Sequence, residues 1–377
     1  MIHSGSVVAA LVSQGYNQHI PDFRNDSDKR DFVSCGAAAG VASAFSSPIG
    51  GVLFSLEEGA SYWSTQLTWR AFFCAMVTLA TLYTIRNQDS KWGQTNVEKL
   101  FSLGEFTSID GQSNFSVWEL FIFAFVGCVG GLIGACFNAA SEHMTIWRMR
   151  RVNHCKKRRL LEVILLSILV SSVSFGMSLL WNRCTDLPTD VQGWNNQQKQ
   201  LMSELVPFQC VPGKEYNEVA SLYLVDADVA IRQLFHFRET GTTDASTFSS
   251  AAVFLFFFPY VTLACVVYGI SIPSGLLVPS LLSGAAFGRL FGHLLHMLDH
   301  TSGTFADSGT YALMGAAAMM GGFSRMTISG ACILCHSYLV KIFCLFGGWT
   351  FLLLFGVELC YRHGLSHDCL SFFLLST

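Results

Sequence analysis

Two adjacent carboxylates, Glu57 and Glu58, lie within the run GGVLFSLEEGASYW at residues 50–63. A carboxylate at the edge of an apolar segment is costly, and partial withdrawal from water raises its pKa. That suits reversible protonation. Neighbours on an α-helix point about 100° apart, so the two cannot face one partner. One can hold structure while the other exchanges protons. The plainer reading is a solvated helix end, because GASYWSTQ follows at once.

A second candidate is IPSGLLVP at residues 272–279. Its prolines break an apolar run. Irregular backbone at membrane depth persists only where it lines a cavity or is buried in protein. Freed N–H groups and the N-terminus of the next helix attract anions. Gly275, Leu276, Leu277, Val278 and Pro279 are therefore candidate anion-pathway residues. The alternative is a proline-kinked structural helix. Pro48 breaks the uncharged run 32–56 in the same way, and predicts two short helices there.

These residues need an apolar scaffold, and the composition supplies one. Hydrophobic residues make up 51% and charged residues 13%, against roughly a quarter charged in soluble domains. Residues 120–141 and 163–181 carry no charge, and 245–288 is charge-free for more than one span; a crossing needs about 20 apolar residues. Residues 71–85 form a shorter run between Arg70 and Arg86. The class is an all-α membrane protein. Soluble enzymes are set aside, since no nucleophile elbow, phosphate loop or zinc pattern is present. The net charge of −3 says nothing about partners, because the charges sit in clusters; no nucleic-acid partner is expected.

The basic loop RMRRVNHCKKRR (148–159) lies between two spans, and its charge places it in the cytosol. Residues 87–117 and 183–244 then lie on the opposite face. They carry the sequon at Asn114 and two cysteines, Cys184 and Cys210, a candidate disulfide in that compartment. Small residues at spacing four (Gly36/Gly40, Gly127/Gly131, Gly130/Gly134, Gly284/Gly288/Gly292) predict close helix packing.

An internal repeat runs through the chain. At an offset of 279, Gly36, Ala37, Ala38, Ala39, Ile49 and Gly51 recur as Gly315, Ala316, Ala317, Ala318, Ile328 and Gly330, and Ser4-Gly5 as Ser283-Gly284. The blocks are 1–58 and 280–337. Two related halves suggest a transporter; similar composition of small-residue helices is the bland alternative. The repeat also sets a Gly/Pro element ahead of Met1, so the chain reads as cut at its start. Two patterns are discounted. Cys332-Ile-Leu-Cys335-His336 fits a haem-attachment spacing but lies in an apolar segment. His293, His296 and His300 read as a water-facing helix end rather than a metal site. No cofactor and no metal are expected.

The stretches RNDSDKRDFVSCGAAAGVASAFSSPIGGVLFSLEEGASYW, YGISIPSGLLVPSLLSGAAFGRLFG and YALMGAAAMMGGFSRMTIS resemble the CLC family of chloride channels and chloride/proton exchangers, most closely its lysosomal exchanger branch. The resemblance covers residues 1 to about 330. It implies a CLC-type inverted-repeat bundle with broken half-helices, here incomplete: a partial transmembrane domain over 1–337, a divergent apolar segment over 338–377, and no CBS modules. It implies chloride and protons as substrates, a homodimer, a lysosomal or late endosomal membrane, and a single-pass lumenal accessory subunit. Glu58 would take the proton from the cytosol, with Glu57 a structural neighbour. Gly275–Pro279 would bind the anion through backbone amides, with Leu277 where the family has Phe. The family's G-K-E-G-P and G-S-G-I-P elements are absent from this sequence, and no late tyrosine is matched, Tyr361 lying in a polar segment. The alternative function is a transport-inactive isoform or fragment that at most assembles with a full-length subunit.

Overall fold

The computed structural model describes residues 2–15, 25–86, 118–181, 183–187, 201–211, 213–236, 247–272, 274–298, 308–326 and 329–330. These fall into two compact units. The first holds the described residues up to Arg86 together with 326–330, and the second holds 118–325. Asn114, His300, Pro273, Tyr361, the Cys332–His336 pattern and the segment 338–377 lie outside the described residues.

The first unit is built on α2 (Asp26–Phe45). Asp26 and Asp28 occupy its first turn, where negative charge complements the helix dipole. Helix α1 (Ile2–Gly15) packs on it through glycine. A Cβ on Gly5 would stand 2.3 Å from the Gly36 carbonyl oxygen, and one on Gly36 would stand 2.5 Å from the Gly5 oxygen. Only glycine allows that approach. Helix α2 ends at Ser46, a left-handed residue (φ 55°). The chain turns and restarts as α3 (Pro48–Phe54), with Pro48 in the first turn and the Ser47 hydroxyl accepting from the Gly50 amide at 3.2 Å. Proline suits that place because its missing N–H would have no helical acceptor anyway. Helix α4 (Thr65–Arg86) joins α2 and α3 through Ala38, Val52 and Ala71, and α2 again through Ala42, Ala75 and Leu79.

The second unit begins with two long helices, α5 (Glu119–Arg151) and α6 (Lys156–Leu180). The 33 residues of α5 span about 50 Å, more than a hydrocarbon core of about 30 Å. A small departure from the all-helical expectation follows. Strand β1 (Cys184–Asp186) pairs antiparallel with β2 (Glu215–Asn217), Cys184 opposite Asn217. Next come α7 (Glu218–Tyr223), α8 (Ala227–His236), α9 (Ser250–Val267), α10 (Leu277–Leu298) and α11 (Ser308–Ser324). Four of the described helices, α4, α5, α6 and α9, are long and apolar enough to cross a membrane.

Glycine also sets the packing here. A Cβ on Gly134 of α5 would stand 2.5 Å from the Gly322 carbonyl carbon of α11, and the Asn138 amide donates to the Gly322 carbonyl at 3.0 Å. Helices α10 and α11 meet through Gly284, Gly288 and Gly315. The two units repeat one motif at the offset read from sequence. Gly284 and Gly315 approach as Gly5 and Gly36 do, each Cβ position within 2.6 Å of the other's carbonyl oxygen. Helix α11 ends at Ser324, and Arg325 (φ 58°) takes the left-handed place that Ser46 takes after Phe45.

Candidate functional site

Helix α3 runs into a π-helical turn, Ser55–Gly59, which carries both glutamates. Such turns are rare and occur mostly at functional positions. The wider turn replaces the α-helical spacing expected for the pair. Ser55 is fully buried, and its hydroxyl donates to the Ser34 carbonyl at 2.8 Å, tying the turn to α2. Glu57 is half-buried. Its carboxylate accepts from the Ser329 backbone amide at 3.0 Å and from the Ser329 hydroxyl. Glu58, one residue on, is exposed. The first carboxylate thus grips a chain segment 272 positions away, while the second faces outward. Ser329 has no counterpart among the residues singled out from sequence. Its nearest signal is its place beside the matched Gly330 within the second repeat block.

In the second unit the chain leaves α9 at Tyr268, whose amide bonds back to Ala264 at 2.9 Å, and re-enters helix at Leu277. Of the five candidate anion residues, Gly275 and Leu276 lie before α10, and Leu277, Val278 and Pro279 form its first turn. The Ser280 amide bonds to the Leu276 carbonyl at 3.1 Å. By helix geometry the amides of Leu277 and Val278 have no acceptor inside the helix, and Pro279 has no amide to offer. Among the described residues, a Cβ on Gly275 would meet no heavy atom within 4 Å, so they leave open space beside the backbone there. Leu277 itself is buried. The arrangement can present two to three N–H groups and the positive end of a 22-residue helix to an anion.

On the β1–β2 side, Cys184 and Cys210 form a disulfide with Cα atoms 5.8 Å apart. Cys184, Cys210 and Glu215 lie close enough together to suggest a metal set, but both sulfurs are committed to that bond. Beneath it Glu218 is buried, accepting from the Thr185 hydroxyl at 2.6 Å, the Ser249 amide at 2.8 Å and the Ser249 hydroxyl at 2.7 Å. Burial, with Glu218 beside it, pushes the Tyr216 phenol above its usual value; its hydroxyl donates to the Thr247 carbonyl. The histidine reading needs correction. His293 does not face water: it is buried, with Nδ1 3.1 Å from the Ser250 hydroxyl and Nε2 accepting from Arg289 Nε at 3.4 Å. Its ring is held between Ser250 at the start of α9 and Arg289 one turn back on α10, a setting that the polarity of three histidines does not reveal.

The family model described as voltage gated chloride channel matches residues 1–341. The H(+)/Cl(-) exchange transporter 7 of Homo sapiens is 38% identical over 338 residues, covering 87% of this chain and 39% of that protein. Chloride channel protein CLC-d of Arabidopsis thaliana is 34% identical over 306 residues, covering 78% of this chain and 37% of that protein. The chain therefore spans about two fifths of the length of these curated relatives. Among solved structures, a eukaryotic CLC transporter aligns with a TM-score of 0.55 at 20% identity, covering 93% of this chain and 49% of that one. A slow cyanobacterial Cl−/H+ antiporter aligns with a TM-score of 0.58 at 16% identity, covering 94% and 66%. At those identities the structures speak for the fold, which is the all-α CLC fold. The extent of the family match, together with the 38% identity to an exchange transporter, establishes that this chain belongs to the voltage gated chloride channel family.

Proposed function

We propose that this chain carries chloride/proton exchange across an intracellular membrane. The observation that supports this most directly is the contrast within the glutamate pair. Glu57 holds Ser329, and Glu58 stands exposed at the end of the π-helical turn. A carboxylate placed so can load a proton from water and release it inward, which an anion channel does not require. Glu58 is thus the internal proton port, and Glu57 its structural neighbour. The anion travels past Gly275–Pro279, bound by backbone amides. The Phe-to-Leu difference at Leu277 leaves those donors in place, since they need no side chain.

The relatives named as H(+)/Cl(-) exchange transporters support exchange over channel behaviour. The same likeness supports a lysosomal or late endosomal membrane, a homodimer and a single-pass lumenal accessory subunit. The disulfide at Cys184–Cys210 fits an oxidising lumenal face, and the sequon at Asn114 suits the same face. Proton movement driven by a chloride gradient in liposomes tests the reading. Glu58→Ala should abolish chloride-driven proton movement and leave chloride flux. Unchanged proton coupling in that variant overturns the assignment.

A further inference from the structure

One face of α5 runs along the end of α9. The rings of Phe137 and Tyr268 lie 6.2 Å apart, and the Ser141 hydroxyl lies 3.6 Å from Cys265 Sγ. Gly269 has φ +84°, and a Cβ there would stand 2.9 Å from the Thr145 hydroxyl. The stripe ends at Arg148, whose side chain is 4% exposed although it belongs to the basic loop by sequence. Its Nε donates to Glu162 Oε1 of α6 at 2.6 Å. Its Nη1 donates to the Tyr268 carbonyl at 2.7 Å, and Nη2 to the Val266 carbonyl.

These acceptors are the last carbonyls of α9, which carry the negative end of the helix dipole. A guanidinium matches them well, having several donors in one plane. The charge is compensated by Glu162, as a buried charge must be. The described residues 269–272 and 274–276 carry no regular structure, and from Leu277 α10 is fixed by its glycine contacts with α11. The segment bearing Gly275 and Leu276 is therefore strung between two fixed points, and Arg148 makes the first of them.

We propose that Arg148, aimed by Glu162, is a positioning residue for anion binding: it fixes the end of α9 and so sets where the amides of the 275–278 backbone stand. The inference rests on the anion reading of that turn given above. Backbone donors act only at the right place, and displacements of about 1 Å at a binding group can cost up to about a hundred-fold. Loss of the anchor should weaken chloride binding more than it slows turnover.

The test is chloride dependence of flux in the intact membrane protein reconstituted into liposomes, normalised to inserted protein. Arg148→Gln should raise the half-saturating chloride concentration about ten-fold. Arg148→Lys keeps the charge but cannot span three acceptors, and should give a smaller rise. Gly275→Pro serves as the reference inside the turn, with impaired flux expected at normal insertion. If Gly275→Pro transports normally, the anion reading falls and this inference with it. If Gly275→Pro is impaired while an inserted Arg148 variant keeps wild-type half-saturation, only this inference falls. A fall in maximal flux alone, or failure of both Arg148 variants to insert, assigns Arg148 to folding and overturns it.

Discussion

The α10–α11 contact makes a quantitative prediction about one methyl group. A Cβ on Gly288 would lie 2.0 Å from the Tyr311 carbonyl oxygen, 2.8 Å from its carbon and 2.9 Å from Ala312 Cα. Ordinary non-bonded contact lies near 3.5 Å, so the clash is roughly 1.5 Å deep. None of the three atoms is the flexible end of a side chain, so the helices themselves must separate. A radial gap of 0.5–1 Å already forfeits a quarter to a half of a dispersion contact. The loss would run along the Gly284/Gly288/Gly315 seam, because all three sit at backbone contact. Gly288→Ala should therefore destabilise by about 3 kcal/mol, the upper part of the overpacking range. Gly176 in α6 is the control, because among the described residues a Cβ there meets nothing within 4 Å. Gly176→Ala should stabilise by about 0.5–1 kcal/mol through backbone entropy. Thermal melting of both variants in one detergent, followed by size-exclusion, gives the order. The reasoning fails if Gly288→Ala melts at or above wild type, or if both variants shift alike.

Two smaller predictions accompany it. Glu57→Gln weakens a charge-assisted grip on the Ser329 amide and hydroxyl, and should cost about 1–2 kcal/mol of stability while chloride-driven proton movement persists; loss of coupling without loss of stability would move the proton role to Glu57. Cys184→Ser opens a loop with a sequence separation of 26 and should cost up to about 3.5 kcal/mol by the chain-entropy relation, read as a melting shift that reducing agent reproduces in wild type and not in the variant.

Much of the scaffold was legible because its signals are local. The break before Pro48 follows from one residue's missing amide, and the spans follow from uncharged length. The glycine spacings pointed to close helix contacts without naming the partners, and the offset of 279 matched Gly5 and Gly36 to Gly284 and Gly315, which the structure shows packing as the first pair does. What escaped was relational. Ser329 meets Glu57 across 272 positions, and no spacing rule reaches that far. The π-helical turn was hidden because Ser55–Gly59 carries no breaker before Gly59. Arg148 looked like one charge among many in RMRRVNHCKKRR. Only the helical phase of Phe137, Ser141, Thr145 and Arg148, set against a partner helix unknown from sequence, turns it inward. His293 misled for the same reason.

The left-handed residues Ser46 and Arg325 carry a consequence for what each corner tolerates. Their φ values, 55° and 58°, nearly coincide, yet a short hydroxyl stands in one half and a long cation in the other. Neither is glycine, so each joint holds about 1–2 kcal/mol of steric tension. The same left-handed turn is thus met by two unlike side chains, so the corner does not depend on one residue type. A designer redrawing this fold could place glycine at both corners, where it would remove that steric cost.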